Sequence, residues 1–188
     1  MGVSCQKPSS YSILPQDVVL QTGDVVFRRG GGLTSRIVLT ADRSGQYSHV
    51  GIVVDSCGIP MIVHAVPGEH DSATDIDRVK MDTPERFFSC MHASTGLVCR
   101  PIDSCVARHA ASIAMEVYRC GVAFDHEYDD ADTTRMYCTE LIEYAFSRAG
   151  HSLAENRRHV VHLPFLETKC IMPSDIFESA FLVPVITF

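Results

Sequence analysis

The sequence lacks several features that would assign it to a common class. Its longest apolar runs, such as Val50–Val54 and Pro60–Val63, are too short to span a bilayer, so no integral membrane segment is expected. Runs of like charge are absent, and 23 acidic against 16 basic residues give a net charge of −7. That balance argues against a nucleic-acid binder, which needs a basic face. Without repeats or linkers, the 188 residues predict a single domain, 1–188.

The eight cysteines show no C-x-x-C pair and no zinc-finger spacing. A structural zinc site is therefore not expected. Several cysteines, such as Cys99, lie among apolar neighbours, where a free thiol packs as a small hydrophobe. A domain of this size does not need disulfides, so reduced and mostly buried cysteines are favoured over a disulfide framework.

The N-terminal stretch MGVSCQKPSS has no apolar segment of signal-peptide length, and Gln6 stands where a myristoylation motif needs serine or threonine. The compartment stays open. The two expectations are an exported bacterial protein whose leader has been trimmed and a cytoplasmic protein.

The hydrophobic pattern predicts strands clustered before and between helices. Residues 48–55 and 59–66 are β-rich runs separated by a turn signal, typical of a hairpin. Helical periodicity is clearest over 104–121, where Ser104 is the expected cap, and over 137–150. The other predicted elements are strands at 22–29, 96–102 and the C-terminus, and short helices at 15–20, 33–42, 82–91 and 172–179. This order favours an α+β fold over a regular βαβ repeat.

Cys138 is a candidate nucleophile because it begins a predicted helix. Unpaired backbone N–H groups and the helix dipole favour a thiolate there. A catalytic cysteine also needs an imidazole that holds and transfers a proton. The alternative is an inert, half-buried thiol in the first helical turn. Glu140, in the same turn, is interpreted as structural.

Two histidines are candidates for the imidazole. His49 stands at the head of a strand, and the predicted hairpin brings His64 near it, where a second polar group could orient the first ring. The alternatives are a histidine satisfied by loop carbonyls at position 49 and a packed core histidine at position 64. Glu69 is a rival orienting residue. Asp24 is either a turn former or a substrate contact.

Four segments in a fixed order resemble one known family. They are a GD-hydrophobic strand, SHVGIVV, VHAVPGE and, far downstream, YCTELIEYAF. This order is similar to the circularly permuted papain-like cysteine hydrolases, the YaeF/YiiX-like relatives of the NlpC-type cell-wall peptidases and cousins of the lecithin retinol acyltransferases. The likeness is strongest over residues 22–150, and nothing comparable covers 151–188.

The resemblance implies a permuted papain-like fold, in which a curved antiparallel sheet packs against helices and the cysteine lies at a helix N-terminus. It implies Cys138 as nucleophile, His49 as general base and acid, and His64 as the third, orienting residue. Bacterial members often carry glutamate at that third position, whereas the acyltransferase cousins carry histidine. Substrate-binding or oxyanion support is expected from Tyr137, Asp24, Ser48 and Glu69.

The expected activity is hydrolysis of an amide through a thioester, without metal or organic cofactor. The resemblance suggests cell-wall-type peptides with γ-D-glutamyl or diamino-acid linkages. A lipid acyltransferase or thioesterase with the same triad is the main alternative, and it predicts an apolar groove instead of a small polar pocket. A third alternative is a binding module, with vestigial residues or with a metal held by Cys138, His49 and His64. The expected partner is a small peptide or acyl substrate; the oligomeric state is left open.

Overall fold

The computed structural model describes residues 11–42, 45–129, 132–163 and 166–188. Predictions that concern residues 1–10, such as the state of Cys5, lie outside this range. The helices are α1 (Leu33–Ala41), α2 (Pro84–Phe87), α3 (Ser104–Arg119), α4 (Cys138–Arg148) and α5 (Pro173–Phe177). The strands are β1 (Val25–Arg29), β2 (His49–Ser56), β3 (Ile59–Val66), β4 (Arg78–Asp82), β5 (Thr95–Pro101), β6 (Ala123–Phe124), β7 (Arg135–Met136), β8 (His159–Leu163), β9 (Leu166–Cys170) and β10 (Leu182–Thr187).

Eight strands form one sheet in the order β10-β5-β1-β2-β3-β4-β6-β7. All neighbours are antiparallel except the short pair β6 and β7, which is parallel. The α+β prediction is confirmed, but the sheet is mixed at one end because β7 returns in the direction of β6 just before α4. The strands β8 and β9 pair separately, in the region where the sequence resembles no known family.

The sheet buries both faces because its central strands are apolar at successive positions. On one face Val50, Ile52 and Val54 pack with the main core, and β2 contacts α3 and α4. On the other face Val53 packs in a smaller cluster with Phe87 and Phe88. Since side chains alternate along a strand, His49 belongs to the second face and Val50 to the first.

Most predicted elements are present, with shifted ends. The hairpin of β2 and β3 and the helices α3 and α4 are confirmed. Asp103, not Ser104, caps α3, because its carboxylate accepts from the N–H groups of Cys105 and Val106. The predicted helix at 15–20 is wrong: that segment turns and then runs irregularly. Apolar spacing there serves packing, since Val18 and Leu20 contact the smaller cluster.

The described cysteines are free, as predicted, but burial was overestimated. Cys99 and Cys170 are buried and Cys138 is half-buried, whereas Cys57, Cys90, Cys105 and Cys120 are exposed. Among the described residues no helix is long and apolar enough to cross a membrane.

Candidate active site

A continuous chain of hydrogen bonds joins three side chains on β2, β3 and β4. His49 Nε2 lies 2.9 Å from His64 Nδ1, and His64 Nε2 lies 3.0 Å from Asp82 Oδ2. All three residues are buried. The strand pairing accounts for the contact: Ile52 faces Val63, so the register puts Gly51 opposite His64, and His49 lies two positions before Gly51 on the same face of the sheet.

Gly51 stands opposite His64, and its missing side chain matters. A Cβ there would lie 2.7 Å from Ile62 Cγ2 and 3.3 Å from His64 Cβ. Larger residues at this position would displace β3 or the His64 side chain. The glycine therefore lets the two imidazoles approach each other between adjacent strands.

The hydrogen-bond chain determines which ring nitrogen of His49 and of His64 carries the proton. Burial alone would raise the pKa of Asp82, but the hydrogen bond from His64 and nearby positive charges hold the pKa below its usual value. The ionised carboxylate is an acceptor, so His64 Nε2 carries the proton. His64 Nδ1 then accepts from His49 Nε2–H, which leaves the lone pair of His49 on Nδ1. This tautomer makes His49 Nδ1 the free base of the chain.

Both imidazoles are neutral at rest. Burial lowers the pKa of His49 well below its ordinary value, and the charge of Arg28 acts in the same direction. Burial also lowers the pKa of His64, although the hydrogen bond to Asp82 opposes that change. A neutral His49 can accept a proton at physiological pH.

Cys138 begins α4 and lies beside the first residues of β2. Burial raises the pKa of its thiol to about 11, while backbone N–H groups of Val50, Thr139 and Cys138 itself act in the opposite direction. Desolvation of the sulfur thus opposes the thiolate that the helix N-terminus favours. No hydrogen bond joins Cys138 to His49 in the part of the chain that the structure describes. The site holds a neutral thiol near a neutral imidazole.

Arg28 was not predicted, and it supports both candidate residues. It lies directly across from His49 in the β1–β2 pairing. Its side chain is only 3 % exposed. The guanidinium pairs with Glu69, donates to the Phe87 carbonyl at 2.7 Å and stacks 4.6 Å from the centre of the Phe87 ring. Its positive charge lowers the pKa of Cys138 and of His49. A buried, paired cation thus lies within electrostatic reach of nucleophile and base.

The other predicted residues fall in different places. Glu69 binds Arg28, and the orienting position beside His64 is taken by Asp82. Glu69, the rival to His64 for orienting His49, does not hydrogen-bond to His49, because His64 makes the hydrogen bond to that ring. Asp24 lies at the opposite end of β1 from Arg28 and forms a salt bridge with Arg100 at 2.9 Å, which is a structural role.

Tyr137 and Ser48 lie next to the site and anchor its backbone. The Tyr137 hydroxyl accepts from the Ile171 N–H at 3.0 Å, and the Tyr137 N–H donates to Glu140, as expected of a structural Glu140. Ser48 Oγ accepts from the Gly30 N–H at 2.9 Å. These contacts hold the loops before α4 and β2 in position.

Two cavities flank the candidate residues. A cavity of about 170 Å³ beside Cys138 is mainly apolar. It is lined by Thr34, Ile37, Val38, Ala41, Tyr128, Tyr137, Cys138, Thr139, Val161, Thr168, Cys170, Ile171, Met172 and Pro173. A second cavity, of about 190 Å³, is more polar and contains His49, Arg28, Ser48, Glu69 and His92. Thr34 of α1 borders both cavities.

The described residues contain no group of three histidine, cysteine or acidic side chains arranged to hold a metal ion. His49 Nε2 and His64 Nδ1 are also closer together than two nitrogens that share one tetrahedral zinc ion. Two zinc–nitrogen bonds of about 2.0–2.1 Å at a tetrahedral angle would separate the nitrogens by roughly 3.3 Å, whereas these atoms are 2.9 Å apart and hydrogen-bonded.

Sequence could have indicated Asp82 and Arg28 only weakly. Asp82 ends the run RVKMD, in which period-two alternation places Lys80 and Asp82 on one face. Arg28 is the first of the two arginines that end VVFRR, and nothing in the sequence distinguishes it from Arg29. Neither pattern shows which strands are neighbours. Asp82 and Arg28 lie close to the histidines only because β4 pairs with β3 and β1 pairs with β2.

Comparison with known proteins supports the fold. No family model matches this chain, and no curated protein matches it. A solved structure, described as metalloprotein YiiX from Escherichia coli O157:H7, DUF1105, is similar over 88 % of this chain and 96 % of its own, with a TM-score of 0.70 and 21 % identity. The chain therefore has an α+β fold like that of YiiX.

Proposed function

We propose that this protein is a cysteine hydrolase with a permuted papain-like arrangement, in which Cys138 is the nucleophile and His49 the general base and acid. The observation that carries the proposal is the Asp82–His64–His49 hydrogen-bond chain, which leaves a lone pair on His49 Nδ1. A buried chain of this kind orients an imidazole and stabilises the imidazolium that forms during reaction.

The reaction begins with the neutral pair. Cys138 sulfur attacks the carbonyl carbon of an amide or ester while its proton moves to His49 Nδ1. The carbonyl oxygen becomes an oxyanion, for which backbone N–H groups at the start of α4 are the available donors. The intermediate then expels the amine or alcohol, which takes the proton from His49, and a thioester remains. Water, deprotonated by His49, attacks the thioester and releases the acid and the thiol.

The cavity beside Cys138 supports an apolar acyl group. Its walls include Val38, Ala41, Val161, Ile171 and Met172, and burial of an aliphatic chain against such residues is favourable by about 25 cal/mol per Å². A γ-D-glutamyl substrate would place a carboxylate or amide against these apolar walls, where the polar group would lose its hydrogen bonds to water. We therefore favour an acyl ester or acyl amide, and keep cell-wall-type peptides as the second substrate class because the polar cavity on the His49 side could receive them.

A metal-binding role is the alternative of a different class. The neighbouring YiiX structure is called a metalloprotein, a statement about that protein. In this chain a metal held by Cys138, His49 and His64 would first have to break the contact between the two imidazoles. Stoichiometric zinc in freshly purified protein, lost in the His64→Ala variant, would favour this alternative.

Trapping of the thioester tests the proposal. The protein is incubated with p-nitrophenyl esters of graded chain length, and with muropeptide fragments, and analysed by mass spectrometry after rapid acid quench. The expected result is an acyl adduct on Cys138 with release of nitrophenol, and neither in Cys138→Ala. Cys99→Ala is the matched control, because burial raises the pKa of that thiol to about 12 and it lies outside the cavity. Turnover that survives Cys138→Ala would reject the mechanism.

A further inference from the structure

The helix α1 is unusual in this domain because none of its nine residues is buried. It follows three consecutive glycines, and Cβ atoms added at Gly31 or Gly32 would meet nothing within 4 Å. One flank of α1 nevertheless lines the apolar cavity, through Thr34, Ile37, Val38 and Ala41. Its C-terminal end is fixed, because the capping residue Asp42 accepts from the N–H and hydroxyl of Ser174 at 3.0 and 2.6 Å. The rest of the helix is therefore an exposed cover with an apolar inner side.

Exposed apolar side chains continue from this cover onto the surface. Leu33 is 76 % exposed, Ile37 40 % and Met91 73 %. Leu33 and Met91 border the polar cavity, and Ile37 borders the apolar one. We call these three residues the rim. Isolated exposed hydrophobic residues are common, but three that border the two cavities of one candidate site favour an interaction surface.

The charges around the rim indicate what it contacts. Residues 28–41 contain Arg28, Arg29 and Arg36 and no acidic residue, although the whole chain carries a net charge of −7. Arg28 is paired with Glu69. Arg29 and Arg36 are exposed, and neither forms an ion pair with a described residue. Arg29, the last residue of β1, donates to the Gln46 carbonyl at 3.4 Å, so its charge is not neutralised by that contact. Exposed arginines without an acidic partner, next to exposed leucine and isoleucine on a short helix, are typical of a segment that lies in an anionic lipid interface.

We propose that the rim, with Arg29 and Arg36, docks on an anionic lipid surface and that α1 lets an acyl chain pass from that surface into the cavity beside Cys138. The passage of an acyl chain into the cavity rests on the proposed hydrolysis of acyl substrates. Docking of the rim on the lipid surface does not require catalysis. Apolar rim residues would enter the boundary between headgroups and acyl chains, and the arginines would contact lipid phosphates and carboxylates.

Sedimentation with vesicles tests the contact in the full chain carrying Cys138→Ala, which removes turnover. Vesicles of phosphatidylcholine are compared with vesicles that also contain phosphatidylserine. Binding is expected to the anionic vesicles and to weaken at high salt, because surface charges are screened. The double change Arg29→Gln with Arg36→Gln should reduce that binding about 30-fold, at roughly 1 kcal/mol for each arginine. Leu33→Ser with Met91→Ser should weaken it about tenfold or more.

Matched controls lie elsewhere on the surface. Val183→Ser removes an apolar side chain that is 52 % exposed on the edge strand β10, and Arg119→Gln removes an exposed charge at the end of α3; both should bind as the parent does. Equal binding by the rim variants, or no binding to any vesicle, would overturn the inference. So would dimerisation without lipid that the Leu33 and Met91 changes abolish, since a second copy would then cover the rim.

Hydrolysis of soluble esters separates the two proposals. Arg29→Gln with Arg36→Gln, on a background with Cys138 intact, should hydrolyse a short soluble ester at the parent rate while losing activity on vesicle-borne substrate. Ester hydrolysis without vesicle binding would overturn the proposal that the rim docks on lipid and would leave the proposed hydrolase function standing. Vesicle binding that depends on the rim, without hydrolysis of any ester, supports the rim and rejects the hydrolase.

Discussion

The β2–β4 part of the sheet and the helix α1 lie on two sides of the same candidate site and are built in opposite ways. On the sheet side, His49, His64 and Asp82 are buried and hydrogen-bonded in sequence, with both imidazole rings against Phe87 at 5.6 and 5.1 Å. On the helix side no residue is buried and several apolar side chains face solvent.

The difference separates two requirements of the proposed chemistry. A proton-transfer chain needs one geometry and one tautomer, which burial and cross-strand pairing provide. Entry of an apolar substrate needs a cover that moves at small free-energy cost, and segments with few buried contacts open most easily. Under the proposed function, the buried strands would hold the proton-transfer chain and the exposed helix α1 would admit the substrate.

The largest effect is expected at Asp82, where the chemistry depends on the direction of a proton. Asp82→Asn keeps the shape, but its NH₂ group can donate to His64 Nε2, which would move the proton of His49 onto Nδ1 and remove the lone pair. We expect kcat/KM to fall roughly 10²–10⁴-fold, as for loss of a general base. Asp77→Asn, which changes an acid outside the chain, is the control for steady-state hydrolysis. A loss of less than threefold at Asp82 would show that the tautomer is irrelevant.

Alanine substitutions at Phe87 and Leu33 compare how much the sheet side and the helix side of the site contribute to the free energy of unfolding. Phe87 is fully buried, and Phe87→Ala should lower the free energy of unfolding by about 3–5 kcal/mol. Leu33→Ala, on α1, should change it by no more than about 0.5 kcal/mol. Urea denaturation followed by circular dichroism measures both. Similar losses at the two positions would contradict the contrast drawn between sheet and helix.

The two buried histidines should make stability depend on pH. Their pKa values are lowered in the folded state, so the unfolded chain binds more protons below pH about 6.5. Their contribution is complete above that pH and is lost as the pH falls toward the folded pKa values, by up to about 1.4 kcal/mol per pH unit for each histidine. Urea midpoints at pH 7.5 and 5.5 should differ, and His64→Gln should reduce the difference, while exposed His109→Gln on α3 leaves it unchanged.

The smallest expected effect concerns the acid limb of activity. Because His49 must be neutral to accept a proton and its pKa is lowered, kcat/KM should stay constant to well below pH 6.5 before it falls. Arg28→Gln removes a positive charge that lowers this pKa, so the acid limb should move to higher pH by a fraction of a unit to about one unit. Initial rates on a soluble ester across pH 4–9 measure this. Movement to lower pH would mean that the positive charge is not what lowers the pKa of His49.

Sequence alone determined the class of fold, the β2–β3 hairpin and the helix that begins at Cys138. It also determined that His49 and His64 lie close together. Each of these depends on residues near one another in the chain. Turn signals, hydrophobic period and helix ends are local, and the order of the motifs carried the resemblance. Local patterns could not show that Asp82 and Arg28 approach the histidines or that Asp24 does not, since strand order and register decide those distances.

Tertiary structure also decided the protonation states. A cysteine at a helix N-terminus predicts a thiolate, yet the packing around Cys138 raises its pKa to about 11. Desolvation depends on every atom that surrounds a group, and those atoms come from distant segments. The same holds for α1, whose periodicity predicted a helix; only the assembled domain shows that the helix has no buried residue and covers two cavities.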